Sequence, residues 1–123
     1  MLFVIEADER NVVDQKIIEV KLQQQFGIFS MRRTLSQIAS DGSIDPNTKQ
    51  LSIDDIEIGF VYFRTGYQAE QYCVDGTLEW DERKWQAREM MELSMAVKCP
   101  SIDFHLTTFK KFQQSFSDEN LLR

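Results

Sequence analysis

Residues 1–33 carry a strand, a helix and a second strand in succession, and that order restricts the fold more than anything else in the chain. Leu2 to Glu6 is a short apolar run that reads as a buried strand. From Asn11 to Phe26 the apolar residues fall at Val13, Ile17, Val20 or Leu22, and Phe26, which is close to the helical period. Asn11 suits the N-cap of that helix. Gly27 stands where a left-handed residue closes it. Ile28 to Arg33 then reads as the returning strand. Strand–helix–strand units of this length are parallel and right-handed in nearly all cases, so the pattern predicts a parallel sheet.

The remaining segments extend the same alternation. Thr34 is placed to cap a short helix through Ala39, and the stretch from Asp41 to Asn47 is rich in turn formers. Leu51-Ser52-Ile53 and Ile56-Glu57-Ile58 flank Asp54-Asp55, which predicts a small hairpin. Its second arm is expected to continue through Phe60, Val61, Tyr62 and Phe63 as a central strand, with Gly59 marking a bulge or a close backbone approach. A loop from Thr65 to about Thr77 follows. Glu82 to Val97 is the next long helical pattern, with Trp85, Met91, Leu93 or Ser94, and Val97 toward the core, and Pro100 ends it. A short extended piece at Val97 to Cys99 fits after it. Thr107 or Thr108 is placed to cap a last helix through Phe116. The expected fold is α/β: a single three-layer domain over residues 1–116, with a mostly parallel sheet near 2–6, 28–33 and 56–63, helices on both faces and a small hairpin arm. Residues 117–123 read as a frayed tail.

Composition excludes several classes. A chain of 123 residues supports one core rather than two, and 42% hydrophobic with 28% charged residues suits a globular domain. The net charge of −6, from 14 basic and 20 acidic residues, disfavours a nucleic-acid surface but leaves room for a locally basic pocket. Met1-Leu2-Phe3-Val4-Ile5-Glu6 lacks a basic leader, and no stretch is long enough to span a bilayer, so a cytoplasmic protein is expected. Two isolated cysteines, Cys73 and Cys99, make neither a zinc site nor a disulfide framework. His105 is the only histidine, and next to Leu106 it reads as a packed or surface residue rather than a catalyst.

Chemistry-bearing residues gather after two of the predicted strands. Glu9-Arg10-Asn11 with Gln15 follows the first strand, and Arg64-Thr65-Gly66-Tyr67 follows the central one. In open α/β sheets ligands bind outside the carboxyl ends of strands. Arg10 and Asn11 lie at a strand-to-helix junction, where free N–H groups and the helix dipole favour an anion. Gln15 is one turn beyond Asn11 on the same helix face. The planar fork of Arg64 suits a carboxylate held at two points. Gly66 permits a tight turn that brings Tyr67 back toward the same space. The combination predicts a crevice for a small carboxylate-bearing molecule.

These residues, with Arg32-Arg33-Thr34, Trp85, Ala87-Arg88, Glu92, Ser94, Lys98-Cys99-Pro100, Lys110-Lys111 and Gln113-Gln114, resemble the substrate-binding domain of the eukaryotic-type glutathione synthetase family, in the ATP-grasp ligase group. Order and spacing hold from about Leu2 to Gln114. The resemblance implies an enzyme, a homodimeric ligase that joins γ-glutamylcysteine to glycine using ATP and magnesium, through an acyl-phosphate on the cysteinyl carboxylate. It further implies that Glu9, Arg10, Asn11, Gln15, Arg64, Thr65, Gly66 and Tyr67 bind γ-glutamylcysteine and that Lys110 contacts ATP. Thr107-Thr108-Phe109 departs from the Ala-Gly-small run that the family places before its Lys-Lys pair. No glycine-rich phosphate loop, metal-binding acid set or catalytic residue is found in this segment. A linker to a missing ATP-grasp part is therefore expected after residue 116, with the isolated segment inactive. The alternative is a divergent, non-catalytic binding module on the same fold.

The other polar residues have structural readings. Arg32 and Arg33 are expected in ion pairs. Arg88, beside Trp85, is expected to be buried in an ion pair or stacked on an aromatic ring. Cys99 reads as a small core residue. Asp54, Asp55 and Glu57 read as a solvated hairpin.

Overall fold

A computed structural model describes residues 1–117 of the chain. The strand–helix–strand start is present: β1 (Leu2–Val4), α1 (Val12–Phe26) and β2 (Met31–Arg33), with Gly27 at φ +66° closing α1. Its N–H donates to Gln23 O, the left-handed closure expected at that position. Next come α2 (Leu35–Asp41), β3 (Gly42–Ile44), β4 (Leu51–Ile53), β5 (Ile56–Ile58), β6 (Phe60–Phe63), α3 (Glu82–Leu93), β7 (Val97–Cys99), α4 (Ile102–Thr107) and α5 (Lys110–Ser115).

One sheet has the order β2-β1-β6-β7 with every neighbour parallel, and a second, antiparallel sheet has the order β3-β4-β5. The expected α/β class, mostly parallel sheet and hairpin arm are borne out. The chain leaves β1 toward β2 on one side, then returns to build β6 and β7 on the other. The order therefore reverses between β1 and β6, and such a switch point opens a crevice at the strand ends.

Register assigns the two faces of the parallel sheet. Leu2, Val4, Val61 and Phe63 are fully buried and pack with Leu35 and Ile38 of α2 and Ala87 and Met91 of α3. Thr34 closes the start of α2 with a capping box: its hydroxyl accepts from Gln37 N–H while the Gln37 side chain accepts from Thr34 N–H. The opposite register carries Phe3, Arg32 and Tyr62, and from it Arg32 reaches α1, donating to Glu19 (2.7 Å) and Gln15 (2.6 Å).

Several expectations are corrected. The apolar positions of α1 do not face the sheet: Val13, Ile17 and Phe26 are 71%, 51% and 70% exposed. The apolar residues of α1 are spread around the helix rather than gathered in one stripe, and the side turned inward carries Gln15 and Glu19, which partner Arg32 of β2. The strand expected over 56–63 is two strands in two sheets. Gly59 lies between them, with no neighbour close to where a Cβ would stand, so it marks the passage between sheets rather than a close approach. The turn-rich stretch after Asp41 begins with a strand instead, β3, which pairs with β4. The second long helix stops at Leu93. Met91 and Ser94 are buried as expected, but Trp85, Leu93 and Val97 are exposed, as is Cys99. The last helical segment is two short helices, α4 and α5, and Phe109 rather than Thr107 or Thr108 precedes α5. Of the tail expected from 117 on, residues 118–123 lie outside the described residues.

Asp54 and Asp55 form the two-residue hairpin turn with φ +51° and +61°, the left-handed pair that joins right-twisted strands. Asp tolerates that region better than most residues. Asp54 also accepts from Arg33 (2.5 Å), which ties the hairpin to the end of β2. The ion pairs expected of Arg32 and Arg33 are both present.

Candidate functional site: the crevice between strands β1 and β6

The two predicted rims leave adjacent strands at the switch point. Val4 O accepts from Arg64 N–H (2.8 Å), so the chain after β6 starts alongside the chain after β1. One residue further, the hydroxyl of Thr65 donates to the carboxylate of Glu6 across the crevice, and Thr65 is 1% exposed. Thr65 thus couples the rims.

On the first rim Asn11 does not cap α1 with its side chain. The Glu9 carboxylate instead accepts the Asn11 N–H at 2.9 Å, so a carboxylate of the chain itself occupies this part of the helix entrance. Asn11 and Arg10 are exposed, whereas Gln15 is 1% exposed. The Gln15 carbonyl is held by Arg32, which fixes the amide orientation and leaves Nε2 buried with no acceptor. Burial by itself would raise the Glu9 carboxyl. The nearby Gln15 amide, the Asn11 N–H and the charges of Arg64 and Arg32 outweigh it and hold Glu9 below the usual carboxylate range. The Gln15 amide favours the Glu9 charge by proximity but lies outside hydrogen-bond geometry, so Nε2 remains an orphan donor.

On the second rim Arg64 is half-buried. Its guanidinium carbon lies 5.9 Å from the centre of the Tyr62 ring, and its Nε is buried without a partner. Gly66 has φ +85°, the tight turn expected of it. Gln71, which sequence reasoning did not single out, holds this turn: its Oε1 accepts from the N–H groups of Gly66 (2.8 Å), Tyr67 (2.7 Å) and Gln68 (3.0 Å). The only signal for it was a Gln three residues after Gln68, at capping-box spacing. Tyr67 turns back and donates its hydroxyl to Phe63 O at 2.5 Å, and burial raises the phenol above its ordinary value.

Beneath this turn lies a cavity of about 330 Å³, walled in part by Tyr67, Tyr72, Trp80, Trp85, Arg88 and His105. Arg88 is buried, pairs with Glu92 (2.8 Å) and lies 3.9 Å over the Phe63 ring, which joins both roles expected for it. His105 is packed rather than exposed, at 5%. Lys84, also not anticipated, is buried and donates to Cys73 O (2.7 Å) and Asp75 (2.6 Å).

Gln15 Nε2 on the first rim and Arg64 Nε on the second are buried donors without acceptors, and the Glu9 carboxylate lies in the field of Arg64. Such a set can take a carboxylate on the donors and a cation on the acceptor. Lys110 is exposed in the first turn of α5, outside this arrangement of contacts. Among the described residues no group of three or more His, Cys, Asp or Glu side chains could hold a metal ion, and no helix is long and apolar enough to cross a membrane.

The family model for eukaryotic glutathione synthase matches residues 1–107, a span that includes both rims. The chain is 38% identical over 122 residues to glutathione synthetase of Homo sapiens and 37% identical over 123 residues to that of Dictyostelium discoideum. It is 36% identical over 122 residues to the chloroplastic glutathione synthetase of Solanum lycopersicum. Each comparison covers 99% of this chain, which spans 24%, 25% and 21% of those relatives respectively. The chain belongs to the eukaryotic glutathione synthase family.

Proposed function

We propose that this chain is the γ-glutamylcysteine-binding part of a glutathione synthetase, an ATP-dependent ligase that joins the dipeptide to glycine. The observation that carries this reading is that two of the three buried donors without acceptors, Gln15 Nε2 and Arg64 Nε, belong to the two rims, the third being His105 Nε2. An unsatisfied buried donor costs about 1–3 kcal/mol, and a ligand carboxylate repays that by accepting from it. γ-Glutamylcysteine offers two carboxylates and one ammonium. Arg64 takes a carboxylate through its fork, the Gln15 amide adds a second donor, and Glu9 is the acceptor for the ammonium. Arg10 and Asn11 close the exposed side of the rim. Thr65 and Gly66 set the aim of Arg64 and Tyr67.

The segment supplies binding and orientation rather than phosphoryl chemistry. ATP transfer to a carboxylate needs metal ions bridging the phosphates and a cradle of backbone donors. Among the described residues no three or more His, Cys, Asp or Glu side chains gather to hold a metal ion, and no phosphoryl step is assigned to them. Lys110, exposed at the start of α5, is the residue offered to ATP in this reading. Residues 1–116 act as the binding unit. The sequence resemblance supports a homodimer as the working form, and two free cysteines support a reducing compartment such as the cytoplasm.

Calorimetry and a phosphate-release assay on the 123-residue chain test the division of labour. Weak γ-glutamylcysteine binding without ATP hydrolysis is expected. Turnover of ATP in the presence of γ-glutamylcysteine and glycine would overturn it.

A further inference from the structure

The Gly66–Tyr67 turn rests on a buried polar cluster drawn from two helices distant in sequence. Arg88 on α3 and His105 on α4 are 6% and 5% exposed. Arg88 Nη2 lies 2.8 Å from His105 Nδ1, and Nε donates to Glu92 at 2.8 Å. The remaining nitrogen, Nη1, is 3.5 Å from both the Gly66 carbonyl and the Tyr72 hydroxyl. Tyr72 itself donates to the Gly66 carbonyl at 3.2 Å. A Cβ on Gly66 would stand 2.9 Å from that hydroxyl and 3.1 Å from Arg88 Nη1, so the turn is closed directly onto the cluster.

The contact between Arg88 and His105 fixes the state of the imidazole. Guanidinium has donors only and stays protonated, so Nδ1 must accept and the ring proton must sit on Nε2. The ring so fixed meets the Tyr67 ring edge-on, with centroids 4.6 Å apart and planes at 85°. His105 therefore touches the substrate rim twice: through Arg88 at the Gly66 carbonyl, and directly at the Tyr67 ring.

We propose that His105 is a positioning residue for the dipeptide site, holding the Arg88 guanidinium under Gly66 and the ring of Tyr67 in place. This rests on the reading of Arg64 to Tyr67 as a substrate rim. Without the Nδ1 acceptor one buried Nη2 N–H of Arg88 has no partner, and the guanidinium, still paired with Glu92 through Nε and Nη2, swings away from its place under Gly66. The Gly66 carbonyl then keeps only the Tyr72 hydroxyl, and Tyr67 loses its edge contact. The effect falls on the dipeptide rather than on ATP.

The test uses the full-length enzyme that contains this chain, with His105→Leu, His105→Asn and Arg64→Ala in parallel. His105→Leu is expected to raise the KM for γ-glutamylcysteine about tenfold, as displacement of a binding group does, with the KM for ATP unchanged. His105→Asn, whose side-chain oxygen replaces the Nδ1 acceptor, is expected to recover most of that loss. If Arg64→Ala raises the dipeptide KM but His105→Leu does not, the positioning role is overturned and the site stands. If Arg64→Ala leaves it unchanged, both are overturned. An Asn variant no better than Leu would reduce His105 to a packing residue and also overturn the proposal. Should His105→Leu fail to fold, Tyr72→Phe removes only the hydroxyl beside Gly66 and must show the same selective rise; an unchanged dipeptide KM there overturns the proposal.

Discussion

The single histidine makes the buried cluster measurable without interference from a second imidazole. Burial, then the Arg88 charge, lowers the His105 pKa from its ordinary 6.5 to about 4. The folded state therefore binds its imidazole proton less readily than the unfolded state does. Between pH 6.5 and about 4 the unfolded chain holds more protons at this site, so stability falls as pH falls through that window and levels off below it. At about 1.4 kcal/mol per pH unit, a drop from 6.5 to about 4 has an upper bound between about 3 and 4 kcal/mol, and solvent screening in the adjoining cavity lowers it. Titration of the single imidazole in the 123-residue chain by NMR reads the pKa directly. Urea unfolding of the chain and of His105→Asn from pH 7 to pH 4 reads the energy. Carboxylates held low, such as Glu9 and Glu19, lose stability in the acid part of the same range. The difference between chain and variant isolates the histidine. An imidazole titrating near 6.5, or the same pH dependence in both proteins, would refute the buried neutral state.

Other expectations follow from single contacts. Gln71→Leu leaves the N–H groups of Gly66, Tyr67 and Gln68 without their shared acceptor and is expected to cost about 1–3 kcal/mol in urea unfolding. Unchanged stability would mean the turn finds another acceptor. Thr34→Ala removes the hydroxyl of the α2 capping box and is expected to cost about 1 kcal/mol in the same assay. Ile38→Ala opens a hole where α2 meets the sheet and is expected to cost about 2–5 kcal/mol, because the side chain is fully buried.

Local signals were legible where one residue decides the geometry. Gly27 at the end of α1, Thr34 at the start of α2, the Asp54-Asp55 turn and the Gly66 turn were all readable from residue type and spacing. The sheet was readable from its first strand–helix–strand unit. What periodicity could not supply was the identity of the covering surface. Val13, Ile17 and Phe26 fit the helical period, yet apolar residues lie all round α1, and Gln15 and Glu19 are the ones that meet Arg32 on the sheet side. Trp85 is half-exposed on α3, and Val97 lies past the end of that helix in β7, so neither follows from the helical period. The strand ends bearing Glu9 and Arg64 were found, since a polar run after a buried strand is a local pattern. The parts of the site assembled across long sequence distances were not: His105 meets Arg88 from another helix, and Thr65 meets Glu6 from another strand. No spacing rule connects such pairs before the topology is known.

Under the proposed function, the crevice between β1 and β6 binds γ-glutamylcysteine through donors the protein leaves unpaired. Arg64→Ala in the full-length enzyme tests it most directly, read as the KM for γ-glutamylcysteine beside the KM for ATP. Loss of a charge-assisted contact to a carboxylate is expected to cost about 2–4 kcal/mol, or roughly a 30- to 1,000-fold rise in the dipeptide KM, with the ATP KM unchanged. An unchanged dipeptide KM, or an equal rise for both substrates, would contradict the account.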